Sequence, residues 1–328
     1  MRATALRDAL IAIVPTRLPA YLWGPPGIGK SSVVRQVAQA LAVDLIDVRA
    51  VLLDPVDLRG LPHVNGDHRA HWALPDFLPR DGSGILFLDE LAQAPPLVQS
   101  ACLQLTLDRR IGEYQLPDGW TVIAASNRQE DRAGAHRLIS PLLNRFLHLD
   151  LEISNDDWQQ WAVMQGIAAD LRAFLRFRPH LLFQFDPQQA PRSFPTPRSW
   201  EFVSRVLGAP DDLLYPLVSG CVGEGPAAEF IAFRRLFAQL PDVGATLANP
   251  TAGNVPTEPS VLYALAGAIA ERCRKDTSAH NPAMIYAGRL PKEFGVLLVR
   301  DAVGANKAVL ATPAGKQWIA ANKDLLLS

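Results

Sequence analysis

The stretch Gly24-Pro25-Pro26-Gly27-Ile28-Gly29-Lys30-Ser31 decides the fold of this chain. It fits the pattern G-x-x-x-x-G-K-[ST], whose glycines let backbone N–H groups turn inward and approach phosphate oxygens closely. The apolar run Ala20–Trp23 precedes it and predicts a short buried strand, and a helical spacing of valines begins after Ser32. Because this pattern requires a strand before it and a helix after it, the stretch predicts a phosphate-binding loop.

Single positions of this loop have expected roles in binding a nucleoside triphosphate. We expect Lys30 to reach the β- and γ-phosphates and the Ser31 hydroxyl to ligate Mg²⁺. The helix that begins here adds the positive end of its dipole. ATP is therefore predicted to bind, with Mg²⁺, to one continuous segment made of Gly24, Pro25, Pro26, Gly27, Ile28, Gly29, Lys30, Ser31 and Ser32.

A second pattern supplies two carboxylates. Residues 85–88 form a continuous apolar run, as in a parallel strand covered on both faces, and Asp89 and Glu90 follow at its end. We expect Asp89 to hold the metal ion together with Ser31, and Glu90 to act as the general base on the attacking water. An acidic pair that only caps a strand is the alternative, which the loop upstream disfavours. Glu90 also favours hydrolysis over phosphoryl transfer to a small molecule.

The first half of the chain alternates strand-like and helix-like segments. After the first strand, the predicted strands are 44–48, 85–88, 121–125 and 146–151, and a helix is predicted over 96–107. Such alternation predicts a parallel α/β sheet whose ligand lies at the carboxyl ends of the strands. Asn127 follows the fourth strand at that edge, where we expect its amide to place the lytic water or to contact the γ-phosphate; a simple turn residue is the alternative.

Two β-hairpins are predicted outside the sheet. The first is centred on Asn65-Gly66, a strong signal for a tight turn. The second is predicted over residues 111–120, with Pro117-Asp118-Gly119 as its turn, leading into the fourth strand.

The second half of the chain is predicted to be helical. The expected domains are an α/β nucleotide-binding domain over residues 1–152 and an α-helical lid over 153–240. Residues 241–259, rich in Pro, Gly, Asn and Thr, are predicted to be a linker. A helical C-terminal region over 260–328 follows.

Two arginines occupy positions at which the spacing alone leaves two readings open. Arg145 follows a helix start at Ser140-Pro141 and is either an arginine finger for a neighbouring subunit's ATP or a helix-end arginine that faces the dipole. Arg198 stands at a helix start, the electrostatically poorer end for a cation, so it either serves the nucleotide or is simply solvated.

Composition excludes several classes of protein. The 32 Lys and Arg residues nearly balance the 33 Asp and Glu residues, so no general basic field is available to hold nucleic acid. Three widely spaced cysteines predict reduced thiols rather than a disulfide framework. The apolar runs are too short for a signal core or a membrane span, so we expect a soluble cytoplasmic protein without membrane contact.

In this order, the residues quoted above resemble the AAA+ superfamily of P-loop NTPases over roughly residues 1–240. The phosphate-binding loop resembles Walker A, residues 85–90 resemble Walker B, Asn127 resembles sensor 1, Arg145 the arginine finger and Arg198 sensor 2. The two hairpins lie where the helix-2 insert and the pre-sensor-1 insert fall. Both inserts in a short chain, with Asp57-Leu58-Arg59-Gly60 before the first, resemble the MoxR branch.

The resemblance implies a fold, an assembly and a function. It implies a five-stranded parallel sheet of order 5-1-4-3-2, a helical lid, and a ring-shaped homo-oligomer, a hexamer, with ATP between its subunits. It favours the nucleotide-related roles of Arg145 and Arg198. Members of this branch resemble remodelling chaperones that often pair with a von Willebrand factor A-domain protein, and some activate metalloenzymes.

Three functions are compatible with these residues. The leading hypothesis is an oligomeric ATPase that couples hydrolysis to the remodelling of a protein client. A DNA-directed motor or loader is the alternative, disfavoured by the near-neutral charge because each neutralised phosphate needs a cation. A nucleotide-gated scaffold with little turnover is the third, and the complete set of Lys30, Asp89, Glu90 and Asn127 argues against it.

Overall fold

The computed structural model describes residues 1–64, 66, 70–131, 138–189, 191–238, 240 and 242–322. The chain divides into two compact units. The first comprises Met1–Ser154 with Asp186–Ala190, and the second comprises Asn155–Phe185 with Pro191–Ser328. Each unit is described separately below. In the described part of the chain, no helix combines the length and the apolar character that crossing a membrane requires.

The first unit consists of a central sheet, helices on both of its faces, and two hairpins. Its helices are α1 (Ala3–Ile13), α2 (Lys30–Leu41), α3 (Pro55–Arg59), α4 (Pro96–Asp108) and α5 (Ser140–Leu143). Its strands are β1 (Ala20–Trp23), β2 (Asp44–Arg49), β3 (Leu61–Val64), β4 (Ala70–Ala73), β5 (Ser83–Asp89), β6 (Arg110–Ile111), β7 (Tyr114–Gln115), β8 (Gly119–Ser126) and β9 (Leu147–Asp150).

The central sheet is parallel throughout and has five strands in the order β2-β5-β8-β1-β9. Counted along the chain without the hairpin strands, this is the expected order 5-1-4-3-2. The α/β fold class predicted from the sequence is therefore confirmed. Since β1 lies between β8 and β9, the loop that follows β1 emerges between the ends of two neighbouring strands.

Both faces of the central sheet are buried, which explains the continuous apolar strands. Along β5, Leu86 and Leu88 belong to a core that α4 covers, whereas Ile85 and Phe87 belong to a core that α1 and α2 cover. Successive side chains of a strand point to opposite faces, so a strand covered on both sides needs apolar residues at every position.

The two predicted hairpins form separate two-stranded sheets, β3–β4 and β6–β7. In the first, Leu61 pairs with Ala73 and Val64 with Ala70. Gly66 of the predicted turn is described, whereas Asn65 lies outside the described residues.

The prediction for the second hairpin was wrong in its turn. Ile111 pairs with Tyr114, so the turn is Gly112-Glu113, and Trp120 lies in β8 of the central sheet. Gly112 has φ +57°, and a Gly in the first position of a two-residue hairpin loop supplies this conformation at low cost. Pro117 instead precedes the start of β8.

The described part of the second unit is helical. Its helices are α6 (Asn155–Met164), α7 (Ala169–Phe177), α8 (Pro197–Val206), α9 (Asp211–Val222), α10 (Glu224–Ala238), α11 (Val243–Ala248), α12 (Pro259–Lys275), α13 (His280–Ala287), α14 (Lys292–Ala305) and α15 (Pro313–Ala321). The segment 241–259, expected as a linker, contains α11, whose Leu247 is buried in the core of the C-terminal helices.

Buried ion pairs connect α7 to the C-terminal helices inside the second unit. Arg172 lies 3.3 Å from Glu271 of α12, and Arg176 pairs with Asp301 of α14. All four side chains are at most one-fifth exposed, and breaking such a pair leaves an uncompensated buried charge. These contacts explain why the expected lid and C-terminal regions form one compact unit.

Candidate active site

The loop between β1 and α2 has the backbone that its glycines predict. Gly27 and Gly29 have φ angles of +74° and +108°, in the region that glycine occupies without strain. Gly29 caps α2, and the Val33 N–H donates to the Gly29 carbonyl at 3.0 Å. The N–H groups of Lys30, Ser31 and Ser32 precede this bond in the first helical turn, where amides have no acceptor inside the helix and suit an anion.

Lys30 connects the loop to the end of β8. Its side chain is 8% exposed, and Nζ donates to the carbonyls of Gly24 at 2.6 Å and Pro25 at 3.1 Å. The same atom donates to Asn127 Oδ1 at 2.9 Å. An ammonium group this deep requires polar partners. Lys30 and Asn127, 97 residues apart in sequence, therefore belong to one site.

Ser31 and Asp89 form the second contact of the site, where the Ser31 hydroxyl donates to Asp89 Oδ2 at 2.8 Å. Two adjacent ligand oxygens of one octahedral Mg²⁺ lie about 3.0 Å apart, given metal–oxygen distances of about 2.1 Å. Mg²⁺ is usually held by one or two protein oxygens together with substrate phosphates. A hydroxyl and a carboxylate at this spacing fit that ion.

Glu90 leaves the line of β5 through a left-handed backbone, with φ +59°. Its N–H donates to Asp89 Oδ1 at 3.0 Å, which fixes the Asp89 carboxylate from a second side. A non-glycine residue in this region costs about 1 kcal/mol or more and persists only where its surroundings hold it. Such residues are concentrated at functional sites, so the strained position at Glu90 supports a role beyond capping a strand.

A buried hydroxyl joins three segments behind these residues. Ser126 Oγ accepts from the Ala92 N–H at 2.7 Å and donates to the Ala125 carbonyl at 2.7 Å. Because its hydrogen is used there, Tyr21 donates to it, at 2.7 Å. Burial raises the pKa of the Tyr21 hydroxyl, which therefore stays protonated. Sequence reasoning did not assign Ser126, although its place before Asn127 at a strand end was a usable signal.

An ion pair bridges the strand ends on both sides of β1. Arg128 Nε and Nη2 lie 3.2 and 3.0 Å from Asp150 Oδ1, at the end of β9. In the sheet, Trp23 of β1 pairs with Ser126 on one side and with Asp150 on the other. Arg128 therefore reaches past the end of β1, where the phosphate-binding loop begins, and it too was missed at the sequence level.

The hydrogen bonds described above include neither of the two predicted arginines. Arg145 follows α5, and its N–H donates to the Leu142 carbonyl at 3.1 Å. Its side chain is half-buried, and its buried Nε has no hydrogen-bond partner among the residues that the structure describes. Arg198 belongs to the second unit, where it is exposed in the first turn of α8. Thr196 caps that helix by accepting from the Ser199 N–H at 3.0 Å.

The comparisons with known proteins agree with this architecture. Residues 20–151 match the family model "ATPase family associated with various cellular activities (AAA)". Among curated proteins, none matches the chain.

Two solved structures illustrate the distant likeness. NtrX from Brucella abortus, solved with ADP, shares 17% identity over 98% of this chain and 67% of its own, with a TM-score of 0.39. A mutant of RuvB from Thermotoga maritima shares 18% identity over 80% of this chain and 79% of its own, with a TM-score of 0.41. TM-scores this low carry no weight of their own. The family match, however, covers the stretch from β1 to the residue after β9, and this chain therefore contains an AAA ATPase domain over residues 20–151.

Proposed function

We propose that this chain is a Mg-ATP-dependent ATPase of the MoxR type, which works as a ring-shaped homo-oligomer, a hexamer, and remodels a protein client. One observation carries the proposal. Lys30, Ser31, Asp89 and Asn127 come from three separate segments and meet through hydrogen bonds of 2.8–2.9 Å at the carboxyl edge of the sheet. This is the edge at which α/β proteins bind their ligands.

The residues of the site divide the work of hydrolysis. The loop amides and Lys30 bind the phosphates, while Ser31 and Asp89 would hold Mg²⁺, which would supply neutralisation of phosphate charge. Glu90 accepts a proton from water, whose oxygen bonds to the γ-phosphorus as the bond to the bridging oxygen breaks and ADP leaves. Asn127 orients that water. Arg145 acts on a neighbouring subunit's ATP, and Arg198 senses the nucleotide from the lid.

The first hairpin supports a protein client. Leu61, Val64 and Trp72 are 64%, 68% and 38% exposed, an apolar content that suits contact with a polypeptide. A DNA backbone would require cations instead, and the chain has a formal net charge of −1. The MoxR resemblance supports a metalloenzyme or a von Willebrand factor A-domain protein as partner. Salt-dependent stimulation of turnover by DNA would favour the alternative of a DNA-directed motor or loader.

Nucleotide binding and phosphate release, measured side by side, test the enzymatic proposal. Lys30→Ala should lose nucleotide binding, because its ammonium group contacts the phosphates. Glu90→Gln should bind ATP as the parent does and lose turnover by about 100-fold or more, since only proton transfer is removed.

Lys292→Ala and Glu293→Gln are the matched controls, because both side chains are exposed at the start of α14. Both should keep parental binding and turnover. Parental phosphate release by Glu90→Gln would overturn the role of Glu90. If Glu90→Gln loses turnover, its ATP-bound form is the reagent with which to capture the client.

A further inference from the structure

A chain of hydrogen bonds leads from the base of the phosphate-binding loop to the segment that carries Arg145. Trp23 is the last residue of β1 and directly precedes Gly24. Its indole Nε1 donates to His148 Nδ1 at 2.9 Å. On the other side of the imidazole ring, Nε2 lies 2.8 Å from the Leu143 carbonyl oxygen, at the end of α5.

These two hydrogen bonds are compatible with a single tautomer of the His148 ring. An indole nitrogen only donates and a carbonyl oxygen only accepts, so Nδ1 is the acceptor and Nε2 carries the proton. His148 therefore links a donor before the loop to an acceptor before Arg145. A phenyl ring of similar size would fill the same space and supply neither contact.

Aromatic stacking holds the same segment from its other side. Tyr21 stacks on Trp23 with 4.4 Å between ring centroids and meets Phe146 edge-on at 5.2 Å. Phe146, which directly follows Arg145, is 8% exposed. Trp23 and His148 are also stacked, with 6.0 Å between their centroids. Arg145 thus lies between two anchors, the Leu143 carbonyl and the Phe146 ring, and both lead back to β1.

The direction of the Arg145 side chain depends on these anchors. Its Nε is buried without a hydrogen-bond partner in the described part of the chain, so no acceptor there orients the guanidinium group at that atom. An arginine side chain has about 2 kcal/mol of rotamer entropy to lose when it is ordered. The anchored backbone of residues 143–146 then sets the point from which the guanidinium group extends.

We propose that His148 is a positioning residue for Arg145: it transmits the position of the loop's first strand to an arginine that serves another subunit. The inference rests on the proposed action of Arg145 on a neighbour's ATP. Loss of His148 should therefore impair hydrolysis at the neighbouring subunit's site and leave the site of its own subunit competent.

Mixed assemblies test where the effect falls. The His148→Phe chain keeps its own Glu90, and the Glu90→Gln chain keeps its own His148 and Arg145. His148→Phe alone should lose about 10- to 100-fold in kcat, the size of effect that a displacement of about 1 Å produces, with KM for ATP nearly unchanged. In an equimolar mixture, a His148→Phe subunit can lie beside a Glu90→Gln neighbour, whose correctly positioned Arg145 completes its site. Phosphate release by the mixture should therefore exceed the sum of the rates of the two variants measured separately.

Three controls and one further test variant make the outcome decisive. Arg145→Ala mixed with Glu90→Gln should show the same gain, and Asn127→Ala mixed with Glu90→Gln should show none, because Asn127 acts in its own site. His180→Phe replaces an exposed histidine of the second unit and should change nothing. Trp23→Phe, which removes the indole donor and keeps an aromatic ring, should behave as His148→Phe does and covers the case of a poorly folded His148 variant.

The two levels of the proposal fail in different ways. Suppose that mixing with Glu90→Gln raises phosphate release for Arg145→Ala but for neither His148→Phe nor Trp23→Phe. The positioning role is then overturned, and the trans action of Arg145 stands. If Arg145→Ala gains nothing either, the trans action itself is overturned, and the inference falls with it. Parental kcat in both His148→Phe and Trp23→Phe would also overturn the positioning role.

Discussion

Ser126 is the residue on which the interior side of the candidate site depends most. It is 1% exposed, and its hydroxyl satisfies the Ala92 N–H and the Tyr21 hydroxyl at once. Ala92 is two residues from Glu90, and Asn127 follows Ser126 directly. One oxygen atom therefore links the segment after Glu90, the proposed general base, to the strand end before Asn127, which is proposed to orient water.

Replacing Ser126 with Ala should lower the free energy of unfolding by about 1–3 kcal/mol, because a buried donor is left without its acceptor. Urea unfolding measures this loss. Ser100→Ala is the matched control: that hydroxyl donates to the Pro96 carbonyl on an exposed helix surface, and its loss should stay within about 0.5 kcal/mol. Equal changes for the two variants would contradict the structural role of Ser126.

Among contacts between single residues, the sequence predicted those whose residues belong to recognised motifs. Ser31 and Asp89 were expected to share one ion, and their oxygens lie 2.8 Å apart. Their roles in chemistry stay predictions. The Tyr21–Ser126 and Trp23–His148 contacts join residues 105 and 125 positions apart. No spacing rule connects such pairs, since only strand register brings them together.

At the scale of elements, Gly60 sets the geometry at the base of the first hairpin. It ends α3 with φ +86° and directly precedes β3. A Cβ at this position would lie 2.1 Å from the Ala73 carbonyl oxygen at the end of β4. Both the backbone conformation and the space therefore require glycine.

Gly60→Ala should destabilise the hairpin by about 1–3 kcal/mol from the backbone conformation alone, with the clash in addition. Limited proteolysis within residues 61–73 should become faster, while the central sheet keeps its far-UV signal. Gly220→Ala is the control, because an added Cβ there meets nothing within 4 Å inside α9 and replaces a poor helix former. The stability of the Gly220→Ala chain should equal or exceed that of the unmutated chain. A Gly60→Ala chain with the same stability and the same rate of proteolysis as this control would refute the steric argument.

Elements were predictable where their pattern was strong. The sheet strands lie where apolar runs placed them. In the inner strands β1, β5 and β8, burial on both faces leaves little choice of residue, whereas the edge strands β2 and β9 are largely exposed or half-buried. The second hairpin was misplaced, since Pro117-Asp118-Gly119 is a stronger turn signal than Gly112-Glu113, which closes the turn. In the second unit, where the sequence predicted helix, α6 and α7 are separated around Gly166, whose φ is +69°.

For the whole molecule, the proposed ring makes turnover a property of the assembly. If Arg145 completes a neighbour's site, a separated subunit binds ATP and hydrolyses it slowly. The phosphate release rate per subunit should therefore fall on dilution, and the fall should follow the loss of oligomer seen by sedimentation velocity. A rate per subunit that stays constant while the oligomer dissociates would contradict the shared site.

The sheet order could be predicted at this scale because the resemblance supplies it, and the chain follows it. The arrangement of the C-terminal helices could not be predicted. Pro, Gly, Asn and Thr in 241–259 suggested a linker, but Leu247 is buried against the helices that follow. The burial of this one residue makes the segment part of a core. The average composition of a segment does not reveal a single buried position of this kind.

The separation of the β3–β4 hairpin from the central sheet has an evolutionary consequence. Its two strands pair with each other and form a sheet of their own, outside the five-stranded sheet whose β1 leads into the phosphate-binding loop. A descendant chain could therefore exchange residues 61–73 for a foreign ribbon and inherit its ATP chemistry intact. If the hairpin contacts the client as proposed, recognition and energy conversion are separately heritable, and a family built this way can acquire new targets by grafting.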